Sequence, residues 1–344
     1  MEHGHEVHAI APHDNYSAKL VELGCIYHRI KMDSRGVNPI KDLALTVELF
    51  VLYRKIRPDL ILHYTIKPNI FGSFAAGLLG IPAVNNVCGL GTAFLKNNLI
   101  SKITLILYKL AFRFPNKIFF QNRYDKQYFI ENNLVDKSKV EILPGSGLNL
   151  NKFKPSLKKN DSKFTFLLVS RLIYDKGILE YIEAIKNLKE KGVDAKFQLL
   201  GPVDPKHQRG IPLKVIEKWI EQNAVEYLGA TDDVQVYLKE ADCVVLPSYR
   251  EGTPRTLLEA AGCAKPIVTT DVPGCNNVVQ HGKNGFLCKM KNSFDLADKM
   301  HEMYSLSPKQ LKKMGQNGRQ IIENYFDENL VIDKYLQTIN QINN

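Results

Sequence analysis

The sequence predicts an α/β protein of two doubly wound domains, each a parallel sheet covered by crossover helices. Three observations predict it. Short apolar runs alternate with helical patterns along the whole chain, as parallel strands joined by helices require. The 344 residues suffice for two separate cores. A polar, turn-rich stretch at 145–162 divides the runs into two sets.

In the first set, strands are expected at Val7–Ala11, Leu60–His63, Ala83–Val87, Lys117–Gln121 and Val140–Pro144. Residues 68–95 carry no charged side chain. Pro82, Asn85, Asn86 and several glycines interrupt them, and the apolar piece Ile70–Val84 is shorter than the roughly 20 residues of a membrane span. A short buried helix ending at Gly80 and a buried strand near 82–88 are expected there. Gly72, Ala76 and Gly80 would share one face for close packing against a sheet. In the second set, strands are expected at Phe164–Ser170, Lys196–Leu200, Val225–Leu228, Cys243–Pro247 and Pro266–Thr270, with helices near 178–191, 254–263 and 293–304.

The opening of the chain has neither the basic nor the apolar region of a secretory signal. Its first recognisable strand reads as the second of a doubly wound domain, so the first domain is expected to lack an opening strand, loop and helix. Six scattered cysteines with no C-x-x-C pair are expected as reduced, buried thiols. His3, His5 and His8 alternate across a strand and do not form a ligand set.

The composition is that of an ordinary globule, 44% hydrophobic and 24% charged, and the net charge of +10 calls for an anionic partner. Within residues 1–150 the excess lies entirely in 96–139, with nine cationic side chains against three anionic. Lys102, Lys109 and Arg113 fall on one side of a helical pattern at 99–114. A basic stripe beside apolar residues suits an anionic membrane surface, although the apolar side could equally be core. Aromatic residues that could stack on bases are sparse there, which argues against nucleic acid.

Two constellations carry chemistry. The first follows a buried strand: Leu246-Pro-Ser-Tyr-Arg-Glu-Gly-Thr-Pro-Arg-Thr-Leu-Leu-Glu-Ala-Ala-Gly. Thr253 before Pro254 reads as a helix cap, leaving a positive helix end where phosphate can bind. Glu251 and Glu259 stand roughly 12 Å apart along the helix, so a sugar-bearing ligand could meet a carboxylate at each end. Alternatively, Arg255 and Glu259 are a plain surface pair one turn apart. The second constellation is Arg171 directly after a strand and Lys176 five residues on, two cations placed to neutralise a diphosphate. No P-loop, dinucleotide fingerprint or D-x-D pair is present; the glycine loop at Cys88–Ala93 lacks the third glycine and the acidic residue. No metal site is expected.

Arg171 and Lys176, followed by Glu251-x7-Glu259, resemble the donor site of family 4 retaining glycosyltransferases of the GT-B fold. Tyr64-Thr-Ile-Lys-Pro-Asn-Ile-Phe-Gly, Cys88-Gly-Leu-Gly-Thr-Ala-Phe, Pro144-Gly-Ser-Gly-Leu-Asn and Thr270-Asp-Val-Pro-Gly-Cys are similar to the bacterial branch that builds capsule, O-antigen and lipid-linked glycans. The resemblance spans essentially the whole chain. It implies two Rossmann-like domains facing a cleft: an acceptor-side domain at 1–148, a nucleotide-sugar donor domain at 149–326, and a helix at 327–344 crossing back to the first domain.

By the same resemblance Arg171 and Lys176 would hold the donor diphosphate, Glu251 the transferred sugar and Glu259 the ribose hydroxyls. Gly252, Thr253, Pro254, Arg255 and Thr256 would line the sugar and phosphates, and the turn at Gly229 would lie near the base. His63, Thr65, Lys67, Asn69, Gly89 and Gly91 are the acceptor-side candidates; no histidine aligns cleanly as catalytic. The implied activity is metal-independent transfer of a hexosyl or N-acetylhexosaminyl group from a UDP-sugar to a polyprenyl-diphosphate-linked glycan, without a cofactor. The implied place is the cytoplasmic side of a membrane. A UDP-sugar 2-epimerase, or an inactive glycan-binding or assembly protein, would share the fold.

Overall fold

The computed structural model describes residues 1–33, 38–90, 99–156, 163–205 and 207–343. In the first half the strands are β1 (His8–Ala11), β2 (Ile26–Arg29), β3 (Ile61–Tyr64), β4 (Ala83–Val87), β5 (Lys117–Phe120) and β6 (Val140–Ile142). The helices are α1 (Ser17–Glu22), α2 (Pro39–Ile56), α3 (Ser73–Leu79), α4 (Leu99–Ala111) and α5 (Arg123–Glu131). The second half adds β7 (Phe164–Val169), α6 (Ile178–Glu190), β8 (Ala195–Leu200), α7 (Leu213–Glu221), β9 (Glu226–Tyr227), α8 (Gln235–Glu240), β10 (Cys243–Leu246), α9 (Arg255–Gly262), β11 (Ile267–Thr270) and β12 (Gly285–Cys288). Three helices close the chain: α10 (Ser293–Tyr304), α11 (Pro308–Tyr325) and α12 (Glu328–Asn343).

Every strand pair among the described residues is parallel. The second domain holds one six-stranded sheet in the order β12-β11-β10-β7-β8-β9. β10 is buried along its length, because apolar clusters cover both faces of the sheet. Tyr181, Ile185 and Met300 belong to one cluster, Leu257, Leu258 and Ile322 to the other. A strand buried on both sides has no polar face, which is why these runs read as continuously apolar. The first domain has a four-stranded sheet, β3-β4-β5-β6, and a separate β1-β2 pair.

The structure corrects several expectations. β2 and β12 are strands that the sequence does not signal, since Ile26–Arg29 and Gly285–Cys288 are four-residue runs without clear alternation. Gly80 ends α3 with φ +67° and has open space where a side chain would sit, so it is a helix stop and not a packing position. The close approach is made instead by Gly77, against the Phe114 ring, and by Gly72, against His63. Of the cysteines, Cys243, Cys263, Cys275 and Cys288 are buried, but Cys88 is exposed and Cys25 half-buried; all six are free. Burial pushes the Cys275 and Cys288 thiols up to about 12.

The chain crosses between domains twice at one place. Leu148 receives the backbone N–H of Glu328 at 3.1 Å and donates to Phe326 at 2.8 Å. Gly147, at φ +70°, admits the Glu328 backbone where no Cβ would fit. From there α12 lies on the first domain: Val331 and Tyr335 pack with Val84, Phe119 and Leu143, and Asn86 Nδ2 donates to the Tyr335 hydroxyl at 2.8 Å. The two domains are thus joined by a double crossing at Leu148 and Phe326–Glu328.

Candidate donor and acceptor site

β7 and β10 are hydrogen-bonded neighbours, Cys243 opposite Phe166. Chain segments leaving their carboxyl ends therefore emerge side by side, where open α/β sheets bind ligands. After β7 come Arg171 and the tight turn Tyr174–Lys176; after β10 comes the segment Pro247–Pro254 leading into α9. Gly177, at φ +70°, lets the turn dock on the Pro247 carbonyl, which a side chain would strike. A hydrogen bond fixes the turn to the segment, Tyr249 N–H to the Asp175 carbonyl at 2.9 Å, and Ser248 Oγ lies 3.2 Å from the same oxygen.

This docking brings Lys176 Nζ onto Glu251 Oε1, across 75 residues of sequence. Ser248 Oγ donates to the same carboxylate oxygen at 2.7 Å. Both partners are mostly shielded from solvent. Arg171 is exposed and has no ion-pair partner among the described residues, so its guanidinium is available to an anion.

Glu259 lies in α9, 8% exposed. Arg255 Nε donates to it at 2.8 Å, so the pair one turn apart does form, although its carboxylate end is buried. Burial pushes the Glu259 carboxyl up, and the Arg255 guanidinium opposes the shift. Thr256 Oγ1 donates to the Val169 carbonyl at 3.2 Å, tying the helix to the end of β7. Gly229 turns at φ +75° beside β8, accepts from Gly201 N–H at 2.7 Å, and borders open space.

The helix start differs from the sequence expectation. Pro254, not Thr253, is the capping position, and no side chain caps α9. The Thr253 hydroxyl instead donates to the Gln121 carbonyl of the first domain at 2.9 Å. Its reach across the cleft leaves the first N–H groups of α9 uncapped by protein side chains, which suits an anion.

On the first-domain side, Gly89 has φ +112°, and a Cβ on it would stand 2.8 Å from Gly252 N. The two loops therefore meet backbone to backbone. Thr65, at the carboxyl end of β3, is exposed and has φ +69°, a strained conformation for a β-branched residue.

His63, Lys67 and Asn69 do not face an open cleft. His63 is 2% exposed, with Nδ1 2.8 Å from Asn85 Oδ1 and Nε2 3.1 Å from the Tyr53 hydroxyl. Burial pulls its pKa down to about 4, so the ring is a neutral core group. Strand alternation decides this: His63 points into the helix layer while Leu62 and Tyr64 point the other way. Asn69 is equally buried and donates to the Asn86 carbonyl at 2.8 Å; Lys67 pairs with Asp42 at 2.5 Å. Gly91 lies outside the described residues.

The sequence reading missed three groups. Ser248 and Arg250 sit inside the motif that pointed to Glu251, so proximity could have flagged them. Asp125, in α5, carried no local signal; it forms a buried ion pair with Arg250.

The second half, residues 150–321, matches the family model of glycosyl transferases group 1, and residues 1–122 match the glycosyl transferase 4-like model. A Campylobacter jejuni N,N'-diacetylbacillosaminyl-diphospho-undecaprenol alpha-1,3-N-acetylgalactosaminyltransferase is 31% identical, covering 98% of this chain and 91% of its own length. An Escherichia coli UDP-Gal:alpha-D-GlcNAc-diphosphoundecaprenol alpha-1,3-galactosyltransferase is 27% identical over 87% of this chain and 80% of the relative. The Anabaena HepE protein in complex with UDP superposes with a TM-score of 0.80 at 18% identity, covering 98% of this chain and all of that one, which shows the shared fold. With both halves matched and the relationship running nearly end to end, the chain belongs to the group 1 glycosyl transferases and has the GT-B arrangement of two Rossmann-like domains.

Proposed function

We propose that this glycosyltransferase moves a hexosyl or N-acetylhexosaminyl group from a UDP-sugar to a polyprenyl-diphosphate-linked glycan, retaining the anomeric configuration and using no metal. The observation that carries this reading is the Lys176–Glu251 contact beyond the carboxyl ends of β7 and β10, with exposed Arg171 following β7 and Glu259 on the helix that Thr256 ties to the end of that strand. Lys176 and Arg171 stabilise the charge that grows on the departing diphosphate. Glu259 accepts the ribose hydroxyls, and Glu251 accepts hydroxyls of the transferred sugar and fixes its orientation. The acceptor hydroxyl enters on the face the diphosphate leaves: its oxygen bonds to the anomeric carbon, the carbon–phosphate-oxygen bond breaks, and the hydroxyl proton passes to the departing phosphate oxygen. The names of the Campylobacter and Escherichia relatives, both transferases acting on undecaprenyl-diphosphate-linked sugars, support the acceptor class.

The acceptor's lipid places the enzyme peripherally on the cytoplasmic face of a membrane, through the segment 96–139. One side of α4 packs into the core through Leu105, Tyr108 and Ala111, but a second apolar stripe, Leu99, Ile100, Ile103, Ile106 and Leu110, is exposed, with exposed Lys102 and Lys109 beside it. α2, on the same helix layer, exposes Ile40, Leu43, Val47 and Val51. Among the described residues no helix is long and apolar enough to cross a membrane.

Incubation with a panel of nucleotide sugars and polyprenyl-diphosphate acceptors tests the reading. Donor consumption that requires acceptor supports transfer; conversion of donor without acceptor would instead indicate an epimerase. No consumption of any donor, with UDP binding unaffected by Arg171→Ala and Glu259→Ala, overturns it.

A further inference from the structure

Five contacts between the domains converge on residues 250–253, the stretch around Glu251. Arg250 extends a guanidinium nitrogen onto Asp125 Oδ1 in α5; their side chains are 6% and 0% exposed. Asn122 caps α5 by accepting from Asp125 N–H at 2.7 Å. Its Nδ2 then donates both to Asp125 Oδ2 at 2.9 Å and to the Gly252 carbonyl at 3.3 Å. Thr253 reaches Gln121, and Gly89 meets Gly252. The Arg250 guanidinium also lies over the Tyr124 ring, 5.1 Å from its centre. One short piece of the first domain, 121–125, thus grips both neighbours of Glu251.

From the second domain Glu251 is held by Ser248, by Lys176 and by its backbone N–H to the Pro273 carbonyl at 3.2 Å. Lys176 is also the group expected to engage the donor diphosphate, so that restraint is lost in part when the donor binds. The grip from α5 is not. An ion pair buried between two domains exists only while they are apposed, since separation returns both charges to water. Arg250 Nε is buried without a partner among the described residues. An unmet buried donor offsets part of what the pairing contributes.

We propose that Asp125, Asn122 and Arg250 form a closure latch that sets the orientation of Glu251, so that the donor site is complete only when the first domain is docked. Asp125 and Arg250 are positioning residues. They act on the transferred sugar through Glu251 and leave the nucleotide contacts at Glu259 and Gly229 intact. The inference rests on the donor-site reading above.

Asp125→Asn in the full chain tests it, with kcat and donor KM from transfer assays, UDP affinity from calorimetry, and the radius of gyration from solution scattering with and without UDP. The expected result is a kcat at least tenfold lower, a UDP dissociation constant within about threefold of wild type, and a larger radius of gyration. Arg250→Lys, which keeps the charge but loses the planar fork, should fall between wild type and Asp125→Asn in kcat. Unchanged kcat and scattering would overturn the latch. So would a loss of UDP affinity matching the loss of kcat, which marks general damage to the donor domain. If wild type transfers no sugar at all, the functional reading fails on its own, while scattering still reports whether Asp125 holds the domains together.

Discussion

Lys176 and Glu251 contact each other directly in the site, the cation of one motif closing on the carboxylate of the other. On the proposed reading, a donor diphosphate held by Arg171 and Lys176 would draw Lys176 away from this partner. The pair would then couple phosphate binding to the freeing of Glu251 for the sugar. Glu251→Gln should bind UDP as tightly as wild type or several-fold tighter, because Lys176 no longer has a competing anion. Its kcat should fall about a hundredfold through loss of sugar orientation. Lys176→Ala should weaken UDP binding, and the double variant should be non-additive in calorimetry. Additive effects would separate the two residues.

Glu259 is buried, and its carboxylate is proposed to accept ribose hydroxyls. Glu259→Gln should lower UDP affinity by about 10- to 100-fold, the worth of a charge-assisted hydrogen bond. Arg255→Ala, which removes the largely exposed partner, should cost much less. Equal losses in the two variants would show that the pair, and not the nucleotide contact, sets the affinity.

Gly89→Ala places a methyl group against the Gly252 backbone at a φ of +112°. At that separation one of the two loops must shift. Transfer should drop at least tenfold, on the scale that an ångström of misplacement produces, while UDP binding stays near wild type. Wild-type transfer rates would mean that the two loops need not touch.

Exposed apolar residues on α4 should hold the enzyme on anionic vesicles. Ile103→Glu/Ile106→Glu should abolish sedimentation with phosphatidylglycerol-rich vesicles and leave transfer to a short-chain soluble acceptor intact. Leu43→Glu/Val47→Glu on α2 measures how far that helix shares the contact. Sedimentation of the α4 variant at wild-type levels would exclude α4 as the docking surface.

The buried His63 should make the fold acid-sensitive. Its pKa is about 4 in the folded chain against 6.5 for a free imidazole, so between these values the unfolded chain holds the extra proton. Its contribution is complete above pH 6.5 and declines as the pH falls toward 4, by on the order of 3 kcal/mol in all. Urea midpoints from pH 7.5 to 4.5 should fall more steeply for wild type than for His63→Asn. Parallel curves would place the sensitivity elsewhere.

Some of this protein was legible before any coordinates. The alternation of apolar runs with helical patterns determined the α/β class, and the motifs around Arg171 and Glu251 pointed to the proposed donor side, because both features are local in sequence. What the tertiary structure decided was which way side chains point and which distant residues meet. His63 looked accessible in a loop-adjacent motif, yet strand alternation turns it into the core. Thr253 looked like a helix cap, yet the apposed first domain claims its hydroxyl. Lys176 and Glu251 read as members of separate motifs, and only the adjacency of β7 and β10 makes them a pair. Asp125 carried no signal at all, since its significance comes from a guanidinium 125 residues away. Local periodicity fixes elements; the packing of two domains against each other fixes the chemistry between them.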